Sequence, residues 1–276
     1  MMMRSLLLLS ALLFSLTAHA EGFLTRLLHH PVPGGVAVLN LGDGSQPPQA
    51  SFNGKPVMVV KEEGTHWIAV VGIDLKTPTG EQTLSVNDGR TLSFTVQPKR
   101  YREQHIKLAN KRQVNPLAQD LERINRELAE QNKAYATFTP GTPSNLLLDR
   151  PVSGPLSSPF GLRRFFNGEE RNPHSGLDFA ASLGTPIKAP AAGTVILVGD
   201  YFFNGRTVFI DHGQGFISMF CHLSAVDVKV GDKLARGAVL GNVGMTGRAT
   251  GPHMHWNISL NGSRVDPAIF IGAFKP

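Results

Sequence analysis

The chain has 276 residues, is 41% hydrophobic and 17% charged, and carries a formal net charge of +6, which fits an ordinary globular protein with room for one or two packed domains. Its only cysteine is Cys221, which excludes an intrachain disulfide. The mild basicity suits an anionic partner such as a cell-wall polymer, a membrane surface or nucleic acid, and does not choose among them.

The first twenty residues stand apart. Arg4 precedes an apolar run from Leu6 to Leu16, and Ala18-His19-Ala20 places small residues where a signal peptidase cuts. Residues 1–20 are therefore expected to be a signal peptide that directs export to the periplasm or cell envelope. With no cysteine after the run, no lipid anchor is expected there. Loss of Arg4 takes the charge from +6 to +5, and the mature chain is expected to start near Glu21. No later stretch is apolar for long enough to span a bilayer.

Residues 21–98 are expected to form a small immunoglobulin-like β-sandwich. Val36-Ala37-Val38-Leu39, Val57-Met58-Val59-Val60 and Trp67-Ile68-Ala69-Val70-Val71 read as strands. Thr83-Leu84-Ser85-Val86 and Leu92-Ser93-Phe94-Thr95-Val96 alternate as strands with one buried face. Asp43-Gly44, Asn53-Gly54, Glu63-Gly64, Thr79-Gly80 and Asp88-Gly89 separate them, and are expected to supply the positive φ of tight turns. His29, His30 and His66 have no carboxylate or histidine at ligand spacing and read as surface or packing residues.

Residues 99–140 read as a helical bridge. Ile106-x-Leu108 suggests one more strand, and Asn115-Pro116 suggests a helix start with Asn115 as N-cap. Leu117, Leu121, Ile124, Leu128 and Tyr135 follow at helical spacing, with Glu122 and Arg126 placed as an ion pair. Nine Lys or Arg against five Asp or Glu between Lys99 and Lys133 allow two readings: a basic face toward an anionic polymer, or a solvated helix bracing two domains.

The turn cluster Thr139-Pro140-Gly141-Thr142-Pro143 opens a Gly-rich second domain, expected over 141–276. Three of its segments carry chemistry. In Gly251-Pro252-His253-Met254-His255-Trp256, a strand would project His253 and His255 to one face, with Met254 and Trp256 behind. Asn172-Pro173-His174-Ser175-Gly176-Leu177-Asp178 reads as a loop delivering His174, followed by a strand that starts near Leu177 and carries Asp178. With one histidine of the 253/255 pair these would make a His₂Asp set, and three protein ligands with one open position are what a catalytic zinc site needs. In Gly215 to Leu223, alternation puts Phe216, Ser218, Phe220 and His222 on one face and Ile217, Met219, Cys221 and Leu223 on the other, which argues against a Cys/His nucleophilic pair. His222 is a proton-transfer candidate, whereas His212 reads as structural. His-Glu-x-x-His, Gly-x-Ser-x-Gly and Ser-x-x-Lys are all missing from the sequence.

From about residue 151 to 270 the chain resembles the lysostaphin/LytM-type zinc metallopeptidases that cut peptidoglycan peptides. The resemblance rests on Ser158-Pro159-Phe160-Gly161, His174-Ser175-Gly176-Leu177-Asp178, Gly184-Thr185-Pro186, Ala189-Pro190-Ala191-Ala192-Gly193, Asp211-His212-Gly213, Cys221-His222-Leu223-Ser224, Val230-Gly231-Asp232 and Thr246 to Trp256. It implies a mainly β fold: an antiparallel-sheet metallopeptidase domain behind the β-sandwich and bridge. It implies His174, Asp178 and His255 as ligands of one Zn2+, and His222 and His253 as the non-ligand catalytic histidines. The implied activity is a zinc endopeptidase acting on peptidoglycan peptide stems, with the D-Ala to diaminopimelate cross-link as the expected bond and no nucleic-acid partner. The alternative is a catalytically silent activator of other wall hydrolases. Two departures from the family pattern, Phe220-Cys221 and Asn257 where Glu is frequent, are expected to matter little. The stretch from Arg163 to Glu170 is expected to help form a groove wall.

Overall fold

The computed structural model describes residues 22–62, 66–108, 112 and 114–275; the signal-peptide expectation and the Glu63-Gly64 turn lie outside them. Among these residues no helix is long and apolar enough to cross a membrane. The chain is mainly β, and most of its strand pairs are antiparallel.

The front of the chain forms two small sheets. Val36–Asp43, His66–Gly72 and Met58–Lys61 make one, in that spatial order. Lys55–Pro56, Ala50–Phe52, Gly80–Val86 and Thr91–Val96 make the other. Between them lies a core that includes Ala37, Leu39, Phe52, Ala69, Val71, Leu84 and Phe94. The hairpin at Ala50–Phe52 and Lys55–Pro56 escapes the strand pattern because its strands are only three and two residues long. Its turn is legible: Asn53 and Gly54 have φ of 50° and 74°. At Asp43-Gly44 the positive φ falls instead on Gly42, at 90°, where the strand bulges between Asn40 and Gly42.

In the bridge, Glu103–Ile106 is a strand that pairs in parallel with Arg163–Phe166, which in turn pairs with Glu169–Glu170. The helix runs Ala118–Tyr135, later than expected. Asn115 does not cap it. Its amide instead donates to Glu169 Oε1 (2.8 Å) and accepts from Arg171 Nη2 (2.6 Å), while the Asp120 carboxylate accepts from Leu117 N at 3.0 Å. The buried face also departs from the apolar pattern. Ile124 and Tyr135 are buried, but Leu117, Leu121 and Leu128 are about half exposed, and Gln131 is buried. The reason is the surface the helix meets. Residues 201–204 offer polar groups, and the helix answers them: Glu127 Oε2 accepts from Phe202 N (2.8 Å), Glu130 Oε2 from Tyr201 Oη (3.1 Å) and Gln131 Oε1 from Asn204 Nδ2 (2.7 Å). The helical ion pair is Arg123–Glu127 and not Glu122–Arg126.

The second domain is centred on an eight-stranded sheet. Its order is Lys233–Leu234, Gly193–Tyr201, Gly205–Asp211, Ile217–Leu223, His253–Leu260, Leu177–Ala180, Leu156–Ser158, with Ser263–Val265 also on His253–Leu260. One face carries Phe220, Met254, Trp256, Ile258 and Leu260 into the main core. That core continues into the front domain through Val36, Val38, Met58, Val60, Ile68 and Val70. Gly72 allows the close approach: a Cβ there would come within 2.7 Å of Leu260 Cβ. Asn261 closes the junction, accepting from Gly72 N (2.7 Å) and donating to Gly72 O (3.1 Å).

Candidate metal and catalytic site

The site grows out of strand register. Asp178 lies directly opposite His255 across the pair Leu177–Ala180 and His253–Leu260, so both side chains leave the same face. His174 comes from the preceding loop, which backbone bonds fix to the segment before it: His174 N donates to Leu162 O at 2.9 Å, and Gly161 N to His174 O at 2.7 Å. Gly176 lets this loop lie on the central strand, since a Cβ there would meet Trp256 O at 2.3 Å. All three side chains are buried.

His174 Nε2 and His255 Nδ1 stand 3.0 Å apart, and they lie 3.0 and 2.6 Å from Asp178 Oδ1. Their other nitrogens fix the tautomers. His174 Nδ1 faces Pro159 O at 2.7 Å and must donate to it, and His255 Nε2 donates to Asn257 Oδ1. In the neutral rings the two converging nitrogens therefore carry lone pairs. Burial outweighs the pull of Asp178 and lowers His174 to about 4, so at neutral pH it holds no extra proton. Burial works to raise Asp178, but the facing imidazoles of His174 and His255 outweigh it and hold the carboxyl well below its ordinary range. Three potential donor atoms for a cation thus converge in one buried spot. Such a cluster is stable around a cation, and two imidazoles with one carboxylate form a donor set suited to zinc.

His222 and His253 lie beside this cluster. Their ring centroids are 4.8 Å apart, and His222 lies 6.1 Å from His255. Simple alternation would send His222 away from His255, because Cys221 is the residue opposite His255. His222 instead adopts φ of 64°, a left-handed conformation costly for a side chain. The bulge there turns its ring to the cleft and moves Leu223 into the main core with Phe220, which corrects the expected faces of this strand. His222 Nδ1 donates to Thr246 O and His253 Nδ1 to Gly251 O, each at 2.8 Å, leaving both Nε2 atoms as proton acceptors. Burial first, and then His253 and His255, push His222 down to about 3, so it is neutral at rest. His212 is buried between Ala192 O and Ser218 Oγ, each 2.8 Å away, as a structural residue. Cys221 is buried and its thiol pushed up by that burial, which leaves it no thiolate.

Asp178, His222, His253 and His255 floor a cavity of about 290 Å³. Its walls include Gln104, Ile106 and Leu108 of the bridge, Arg164 and Phe166 of the 163–170 hairpin, and Arg248 to Pro252. Among the described residues none of the front sandwich lines it. A larger hollow on that sandwich, between residues 29–40 and 92–97, has a single imidazole and no carboxylate in its lining.

Two residues at the site go beyond the sequence reading. Arg164 Nη2 reaches Asp178 Oδ2 at 3.2 Å, a contact made only by tertiary folding. Asn257 Oδ1 meets the back of His255 at Nε2, and its amide donates to Ser175 Oγ at 2.9 Å, which fixes the orientation of that imidazole. The signal for Asn257 was present, since 253, 255 and 257 share one strand face.

The sequence profile of peptidase family M23 matches residues 172–267, and that of the peptidase family M23 N-terminal domain matches residues 29–99. A crystal structure of a peptidase M23 from Pseudomonas aeruginosa is 60% identical, with a TM-score of 0.79, covering 91% of this chain and 100% of its own. Peptidoglycan DD-endopeptidase ShyA of Vibrio cholerae is 38% identical over 112 residues, 40% of this chain and 26% of that protein. DD-carboxypeptidase/endopeptidase Mpg of Neisseria meningitidis is 40% identical over 112 residues, 41% of this chain and 26% of that protein. The chain thus spans about a quarter of the length of these curated relatives.

Proposed function

The chain belongs to peptidase family M23, and from that premise we propose that it is a zinc-dependent endopeptidase of the cell envelope that hydrolyses peptide cross-links of peptidoglycan. The observation that carries this reading is the convergence of His174 Nε2, Asp178 Oδ1 and His255 Nδ1, all buried, beside two histidines with open Nε2 atoms. The names of the relatives support a bond between D-centres, and the D-Ala to diaminopimelate cross-link is the substrate we assign.

In this reading His174, Asp178 and His255 hold zinc, and His222 and His253 move protons. Zinc bound there supplies Lewis acidity to the scissile carbonyl and to an attacking water. Asn257 and the Pro159 carbonyl hold the two ligand imidazoles in the tautomers that point lone pairs inward. His222 enters the reaction neutral, so the His222/His253 pair accepts the water proton at an Nε2 atom. The resulting imidazolium stabilises the developing oxyanion and returns the proton to the leaving amine. The bridge strand and the 163–170 hairpin form one side of the cleft that holds the peptide.

Incubation of the purified chain with cross-linked muropeptide dimers, with and without a chelator, tests this assignment. Monomeric stem peptides are expected without the chelator and none with it. Absence of product from every cross-linked substrate would favour a binding protein that activates other hydrolases.

A further inference from the structure

We propose that Arg248, with Arg164 beside it, forms a pocket for a free carboxylate carried by the substrate residue on the leaving-amine side of the scissile bond. The inference rests on the endopeptidase reading above and adds to it the part of the substrate that this chain selects.

Arg248 is held for such a task. Its guanidinium carbon lies 4.8 Å over the Phe166 ring and 4.4 Å over the Phe203 ring, so aromatic groups from a strand and from a separate turn grip its planar head. Its backbone N–H is tied to Phe203 O at 2.8 Å. It lines the same cavity as His253, His255 and Asp178. Arg164 lines that cavity too, anchored by Asp178 Oδ2 at 3.2 Å and by Gln104 Oε1 at 3.2 Å.

The charge balance of the cavity favours an anion. Asp178 is the sole carboxylate among the described lining residues, and it already serves His174, His255 and Arg164. The described lining thus holds two guanidiniums and one carboxylate, and a cation at the histidine cluster would add positive charge. Burial first, and then Arg164 and Arg171, lower Arg248 to about 10, which still leaves it charged at neutral pH.

The assigned substrate supplies the complement. In a D-Ala to diaminopimelate cross-link, the carbon bonded to the leaving nitrogen also bears a carboxylate. A guanidinium at the cleft wall can take that group in two parallel hydrogen bonds and fix the amide against the histidines. Arg248 would then be a specificity-determining residue.

The test uses two cross-linked dimers that differ only in this carboxylate, free in one and amidated in the other. Each is assayed for kcat/KM with wild type, Arg248→Gln and Arg248→Lys. Wild type is expected to prefer the free acid by roughly 10- to 100-fold, the effect of losing a charged partner in a partly buried site. Arg248→Gln is expected to cut both dimers with similar kcat/KM. Because the ratio is taken within one preparation, it does not depend on how much of the variant folds. Arg248→Lys keeps the charge without the fork, is expected to keep a reduced preference, and decides the matter if Arg248→Gln is too slow to assay. Full wild-type preference in either variant, or equal kcat/KM on both dimers in wild type, overturns the carboxylate pocket. Cleavage of neither dimer by wild type overturns the endopeptidase reading and the pocket with it.

Discussion

At the scale of single residues the site depends on which nitrogen carries a proton. His255 can present Nδ1 to a metal only because Asn257 takes the hydrogen on Nε2. Replacing Asn257 by alanine removes that acceptor and frees the ring. The expected result is a loss of zinc affinity of about 10- to 100-fold, measured by competition with a chromophoric chelator, with little change in the fold. Unchanged affinity would mean that Asn257 does not orient His255. The His253-x-His255 pair and the Asp178 strand were legible because strands repeat every two residues. The turn of His222 toward the cleft was not, because it rests on a left-handed φ at a bulge, a conformation that nothing in a histidine demands.

Among the secondary-structure elements, the helix Ala118–Tyr135 is the informative case. Its apolar spacing pointed to a buried leucine stripe, and the structure instead leaves Leu117, Leu121 and Leu128 about half exposed. Periodicity reports a helix, but it cannot report that the surface opposite is polar. Glu127 is the key contact, serving Phe202 N at 2.8 Å and Arg123 Nε at 2.5 Å. Glu127→Ala leaves the Phe202 N–H without its acceptor and is expected to cost about 1–3 kcal/mol in urea unfolding. An unchanged urea midpoint would show that this contact is not what seats the helix. The segment it secures matters to the site, since Asn204 O accepts from His222 N at 2.8 Å and Phe203 packs on Arg248. A strand is expected at Ile106-x-Leu108, but the strand is Glu103–Ile106, which overlaps that expectation only at Ile106, and its place in the cleft wall depends on parallel pairing with a segment about 60 residues later.

For the molecule as a whole, the front sandwich and the second domain share one core, joined at Gly72 and Asn261, and no described residue of the sandwich lines the cleft. The two-part β architecture was legible from turn spacing and composition, whereas the joint core was not, because alternation marks a buried face without naming what covers it. Two buried neutral imidazoles couple stability to pH. His174 and His222 ionise near about 4 and about 3 in the folded protein, against an ordinary 6.5. Between those values the unfolded chain binds more protons, so their contribution is fully present above 6.5 and is lost as pH falls through the folded values. Chelated protein is therefore expected to be less stable at pH 5 than at pH 7 by about 2 kcal/mol per imidazole, read from urea midpoints. Equal midpoints would mean that these rings are not held neutral. In the proposed reading one strand face divides two jobs, metal binding at His255 and proton transfer at His253. This division is tested most directly by measuring zinc content and cleavage of a cross-linked muropeptide dimer in wild type, His253→Ala and His255→Ala. Zinc is expected in the first two proteins, loss of zinc in the third, and monomer products from wild type alone. Cleavage by His253→Ala at the wild-type rate, or full zinc content in His255→Ala, would contradict it.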